Sequence, residues 1–68
     1  MIRLYLNGEG REFAPNTTVA NLLEALRMPP ERVAVELNLQ ILDKQEYART
    51  VLKEGDRLEI ISFVGGGS

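Results

Sequence analysis

Ile2-Arg3-Leu4-Tyr5-Leu6-Asn7-Gly8-Glu9-Gly10-Arg11-Glu12-Phe13 is the stretch whose reading decides the fold. Ile2, Leu4 and Leu6 alternate with Arg3 and Tyr5, the pattern of a strand with one buried face. Asn7-Gly8 then gives the strongest two-residue hairpin signal, because a type I′ turn needs positive φ at both central positions. Folding back about that turn sets Glu12 opposite Arg3 and Phe13 opposite Ile2. One pair is ionic and faces outward, the other apolar and faces inward, so both faces support the same register.

Downstream, Pro15-Asn16-Thr17-Thr18 breaks the strand and offers a helix N-cap at Thr17 or Thr18. Val19, Leu22, Leu23 and Leu26 recur at i, i+3, i+4 and i+7, a single apolar stripe that predicts a core-facing helix. Pro29 disfavours the helical region for Met28, and Pro30 reinforces the stop. Val33, Val35 and Leu37 alternate with Ala34 and Glu36 as a third strand, and Asn38-Leu39-Gln40 turns it toward a short edge strand at Ile41-Leu42. Residues 43–49 read as a helical turn or loop with Tyr47 packed beneath it, and Val51 and Leu52 are expected to tuck in ahead of a turn at Gly55. Leu58 and Ile60 face inward on the final strand, whereas Ile61 and Phe63 point the other way.

This order predicts an α+β domain over residues 1–64, a mixed sheet of four to five strands wrapped over one helix. The expected core is Leu4, Leu6, Phe13, Val19, Leu22, Leu23, Leu26, Val33, Val35, Leu37, Leu58 and Ile60.

Composition excludes several function classes. The 68 residues include neither cysteine nor histidine, which removes the thiol nucleophile and the commonest general base and metal ligand. The carboxylates are spread at solvent-like positions, and none pairs with another at a spacing suited to acid–base work. Eight basic residues are scattered against ten acidic ones for a net charge of −2, so no nucleic-acid surface is expected. No apolar run approaches the ~20 residues of a membrane span, and the chain opens directly into a strand pattern, which reads as a cytoplasmic protein with no membrane partner. Asn7-Gly8-Glu9-Gly10 joins strand to strand and is not a phosphate loop.

The remaining candidate for chemistry is the tail, Gly65-Gly66-Gly67-Ser68. Glycine lacks a Cβ, so residues 65–68 form a slim tether, and four extended residues reach about 13 Å. That length could thread a terminal carboxylate into another protein's active site. The same composition also suits a flexible linker without function. Outward Ile61 and Phe63, leading into the tail, read as a docking patch.

Four segments, in order and spanning essentially the whole chain, resemble the ThiS-type sulfur carriers. They are Ile2-Arg3-Leu4-Tyr5-Leu6-Asn7-Gly8, Val33-Ala34-Val35-Glu36-Leu37-Asn38, Lys53-Glu54-Gly55-Asp56 and Gly66-Gly67. The resemblance implies a ubiquitin-like β-grasp fold and a carrier rather than an enzyme, with no bound cofactor. A ThiF-like adenylyltransferase would use ATP and magnesium to activate the terminal glycine as an acyl-adenylate. Sulfur from a donor protein would convert it to a thiocarboxylate, and thiazole synthase would take that sulfur for the thiamin thiazole ring. On this resemblance Gly67 carries the sulfur, Gly65 and Gly66 supply slimness, and Ile61, Phe63 and Val64 dock the partner. Two residues depart from the family pattern. Ser68 follows the diglycine, either as a residue removed by a protease or as one foreign to the native chain. Leu39 stands where a turn glycine is common. The alternatives are a carrier like the related small subunit of molybdopterin synthase, and a ubiquitin-like interaction module whose tail has no function.

Overall fold

Residues 1–63 are described by a computed structural model; the expectations for Val64, Gly65, Gly66, Gly67 and Ser68 lie outside the described residues. Five strands form one sheet: β1 Ile2–Leu6, β2 Glu9–Phe13, β3 Val33–Leu37, β4 Gln40–Leu42 and β5 Arg57–Ser62. Their order is β2-β1-β5-β3-β4, with β1 and β5 parallel and the other neighbours antiparallel. One helix, α1 Val19–Ala25, packs on the inner face.

The hairpin has the register expected from its two faces, with Ile2 opposite Phe13 and Arg3 opposite Glu12. Arg3 and Glu12 approach to 3.8 Å with both side chains half exposed, so the ion pair contributes little and the apolar face sets the register.

Of the two threonines, Thr18 is the cap. Its hydroxyl accepts from the Asn21 N–H at 3.1 Å, and its own N–H donates to Asn21 Oδ1 at 3.2 Å. This is a capping box built with Asn in the usual Glu position. The other free amides of the first turn are taken by a distant segment. Val19 N–H donates to the Thr50 carbonyl and Ala20 N–H to that of Tyr47, both at 3.0 Å. A short 3-10 turn, Lys44–Glu46, brings that segment round. Tyr47 is buried beneath it as expected, and desolvation raises its phenol pKa, with a backbone hydrogen bond at Val35 acting in the opposite sense.

The helix ends earlier than the prolines suggest. Leu26 is the C-cap, and Arg27 adopts φ 60°. Met28 N–H reaches the Leu23 carbonyl and Arg27 N–H reaches that of Glu24, the two bonds of a Schellman ending. The stop is thus made by backbone hydrogen bonding before Pro29 is reached, and Leu26 is only partly buried.

Leu4, Leu6, Val19, Leu22, Leu23, Val33, Val35, Leu58 and Ile60 are buried as expected, joined by Tyr47 and Leu52. Phe13 and Leu37 lie at the rim, partly buried. Val51 does not tuck in: it bridges to Thr18 at the surface and is exposed, while Leu52 turns inward. No helix among the described residues is long and apolar enough to cross a membrane.

The β3–β4 turn keeps its tight geometry despite having no glycine. Leu37 pairs with Gln40, leaving Asn38 (φ 52°) and Leu39 (φ 72°) as the two turn residues, both left-handed. Asn38 tolerates this and is fixed by its side chain, which accepts from Arg57 N–H and donates to Asp56. Leu39 is 89% exposed and has no such support from burial. Leu39→Gly is therefore expected to raise stability by about 1 kcal/mol, read as a shift in the urea midpoint without a change in slope.

Candidate functional site

The candidate site is the outer face of β5 together with the tail that follows it. β5 is the central strand of the sheet, held by β1 on one side and β3 on the other. Its alternation works as the sequence indicates. Leu58 and Ile60 are buried, whereas Ile61 (52% exposed) and Phe63 (56% exposed) face solvent. Of the expected docking residues the described structure therefore brings these two to one face; Val64 lies beyond it.

The register shows what surrounds them. Ala34 lies opposite Ile61 across the β3–β5 ladder, and Glu36 lies opposite Glu59. Ile41 of β4 comes next in the same row, beside Glu36, and is 79% exposed. At the other end of the face the Arg57 guanidinium lies over the Tyr5 ring, 4.9 Å from its centroid. The face thus passes from a cation stacked on an aromatic, through two carboxylates, to an apolar end where the strand leaves the sheet. Like charges directly opposite each other across a ladder are unfavourable. Among the described residues neither Glu36 nor Glu59 has a cation within 4.0 Å.

Ile41 was the residue that sequence reasoning missed. The signal was present, since after a two-residue turn at Asn38-Leu39 its side chain must share a face with Glu36. Placing Gln40 in the turn rather than in the strand hid it.

No three acidic side chains among the described residues stand close enough to hold a metal ion. The open apolar cleft lined by Leu23, Met28, Pro29 and Pro30 belongs to the helix side of the molecule, away from the outer face of β5. Within the described residues the outer face offers binding surface rather than reactive groups.

The sequence model of the ThiS family matches residues 4–67, nearly the whole chain. The chain belongs to the ThiS family. The family match takes in Gly65, Gly66 and Gly67 and leaves out Ser68. Among ThiS relatives, the sulfur carrier protein ThiS of Bacillus subtilis (strain 168) is 37% identical over 65 residues, covering 94% of this chain and 98% of that protein. The crystal structure of a thiamine biosynthesis protein, ThiS, from Geobacter metallireducens superposes with a TM-score of 0.82 at 36% identity. That superposition covers 97% of this chain and all of the other, so the β-grasp arrangement of sheet and helix is shared throughout. A thiazole synthase from Paramagnetospirillum magneticum is 46% identical over 67 residues, covering 98% of this chain but only 21% of the synthase. A second, from Magnetococcus marinus, is 39% identical with 20% of its length covered. The chain spans about a fifth of the length of these two relatives.

Reading the exposed outer face as a docking surface carries its own expectation. Phe63→Asp puts a charge at an exposed position, so the fold is expected to persist. Affinity for a protein that docks on this face should fall by about 2 kcal/mol or more, the loss typical of an interface hot spot. Calorimetric titration with a folded variant measures it, and an unchanged affinity removes Phe63 from the contact.

Proposed function

We propose that this chain is a sulfur carrier for thiamine biosynthesis, whose terminal Gly67 is adenylated by a partner and then converted to a thiocarboxylate. The observation that carries this reading is a family match running to Gly67, joined to a relative named as a sulfur carrier that is matched over 98% of its length. The chain is then a substrate and not an enzyme.

Elementary chemistry accounts for the division of labour. A carboxylate is a poor electrophile at neutral pH. Its attack on the α-phosphorus of ATP expels pyrophosphate and gives an acyl-adenylate, from which a sulfur nucleophile can displace AMP. ATP and magnesium belong to the ThiF-like adenylyltransferase, and sulfur comes from a donor protein. The thiocarboxylate holds sulfur without a cysteine, in keeping with a chain that has none. The body presents Ile61 and Phe63 for docking, and the glycines thread the acyl end into the partner.

Thiazole synthase is the proposed acceptor of the sulfur. Two proteins of that name each contain a stretch that matches this chain almost end to end, which favours the thiamine pathway over the molybdopterin alternative. The test is to incubate the chain ended at Gly67 with adenylyltransferase, magnesium, ATP and a sulfur source. Mass spectrometry is expected to find one terminal oxygen exchanged for sulfur. A chain left unreacted by the enzymes of either pathway would favour the linker reading of the tail.

A further inference from the structure

The main chain of β1 leaves the sheet at Asn7, whose φ of 50° begins the turn into β2, yet the ladder to β5 does not stop there. Asn7 N–H donates to the Leu58 carbonyl at 2.8 Å, the last main-chain rung on this side. The side chain then supplies the next one. Asn7 Oδ1 accepts from Ile60 N–H at 2.7 Å, and Asn7 Nδ2 donates to the Ile60 carbonyl at 3.2 Å. A primary amide offers the same donor and acceptor as a peptide group, so it stands in for the residue that β1 lacks. Beyond Ile60, β5 is paired through β3 alone: Ile61 opposite Ala34, Ser62 opposite Val33, and Phe63 N–H donating to the Arg32 carbonyl at 2.7 Å. Ile60 is therefore the last described residue gripped from both sides, and the two exposed docking side chains lie one and three residues after it.

We propose that Asn7 is a positioning residue for the carrier's activation. By closing the ladder on Ile60 it fixes the angle at which Ile61 and Phe63 are presented to the adenylyltransferase. This rests on the function proposed above. A strand end left loose must be ordered on docking, and that cost falls on binding rather than on chemistry.

Two substitutions separate the clamp from the turn. Asn7→Gly keeps the left-handed turn but removes both bonds to Ile60. Asn7→Asp also tolerates the turn and can accept from Ile60 N–H, but it has no donor for the carbonyl. The experiment measures pyrophosphate release by the adenylyltransferase with ATP saturating and the carrier varied, at a temperature where every variant is folded. Asn7→Gly is expected to raise KM for the carrier about fivefold to tenfold, as the loss of two modest hydrogen bonds implies. kcat should stay within about twofold, since no group touching the reacting atoms has changed. Asn7→Asp should fall between Asn7→Gly and the parent chain. Hydrogen exchange at the Ile60 amide, read without the partner, should quicken in Asn7→Gly.

A core variant of comparable stability loss, Leu52→Val, is expected to leave KM unchanged. If it raises KM as much as Asn7→Gly does, general loosening is the cause and the positioning role is wrong. An unchanged KM in Asn7→Gly, with the Ile60 amide unprotected, overturns it too. In both cases the parent chain is still activated and the carrier function stands. A parent chain that releases no pyrophosphate instead removes the carrier function itself, and with it this role.

Discussion

Ended at Gly67, the chain is expected to take up sulfur at its terminus; ended at Ser68, it is expected to remain unreacted. On the function proposed above, the adenylyltransferase must bring one carboxylate in line with the α-phosphorus of ATP. An added residue moves the terminal carboxylate by about 3.5 Å. A displacement of about 1 Å can already cost a hundredfold in a positioned reaction. Serine also adds a hydroxymethyl group where a channel suited to glycine leaves room for a hydrogen. Intact-mass measurement of both forms, under identical conditions, should show loss of at least ~100-fold in initial rate for the longer chain. Equal conversion of both forms would mean that the terminus is not read to the single residue.

Leu23→Ala carries the largest expected cost to the fold. Leu23 is 1% exposed and sits on α1 against the sheet, within the cluster that contains Leu4, Val35 and Leu58. Truncation removes buried methyl groups and leaves a cavity that a small, closely packed core fills poorly, at about 2–5 kcal/mol. A chain of this length has a total stability of roughly 3–10 kcal/mol, so the variant should be partly or wholly unfolded at 37 °C. Urea unfolding followed by circular dichroism measures this. A loss under about 1 kcal/mol would show that the helix stripe is less tightly packed than its burial indicates.

The strands and their burial were legible because local pattern and tertiary demand agree there. Asn7-Gly8 fixes the first hairpin, and the alternation in β5 separates Ile60 from Ile61 without reference to any partner strand. What escaped depended on distant contacts or on uncommon backbone. Nothing local announces that β5 inserts between β1 and β3, since its parallel pairing brings Tyr5 to Arg57 across most of the chain. Arg27 and Leu39 are left-handed without being glycine, so the helix end and the second hairpin could not be placed to the residue. The choice of Thr18 over Thr17 depends on Asn21 closing the capping box, and Val51 diverges from Leu52 because it lies alongside Thr18 at the surface. For the site, Ile61 and Phe63 could be read from alternation, whereas Ile41 required the register of the β3–β4 hairpin. Asn7 was legible as a turn residue but not as a clamp, because its partner Ile60 lies 53 positions away.

The side-by-side, parallel placement of β1 and β5 also has a mechanical meaning. β1 starts at Ile2, while β5 runs out toward the glycines, so opposed tension on the two ends would slide one strand along the other. Such shear loads the rungs between them together, including the one made by the Asn7 amide, whereas a hairpin peeled from its open end yields one rung at a time. The domain should resist that tension far better than tension applied across the β1–β2 hairpin, a contrast that single-molecule stretching from the two pairs of attachment points would read directly.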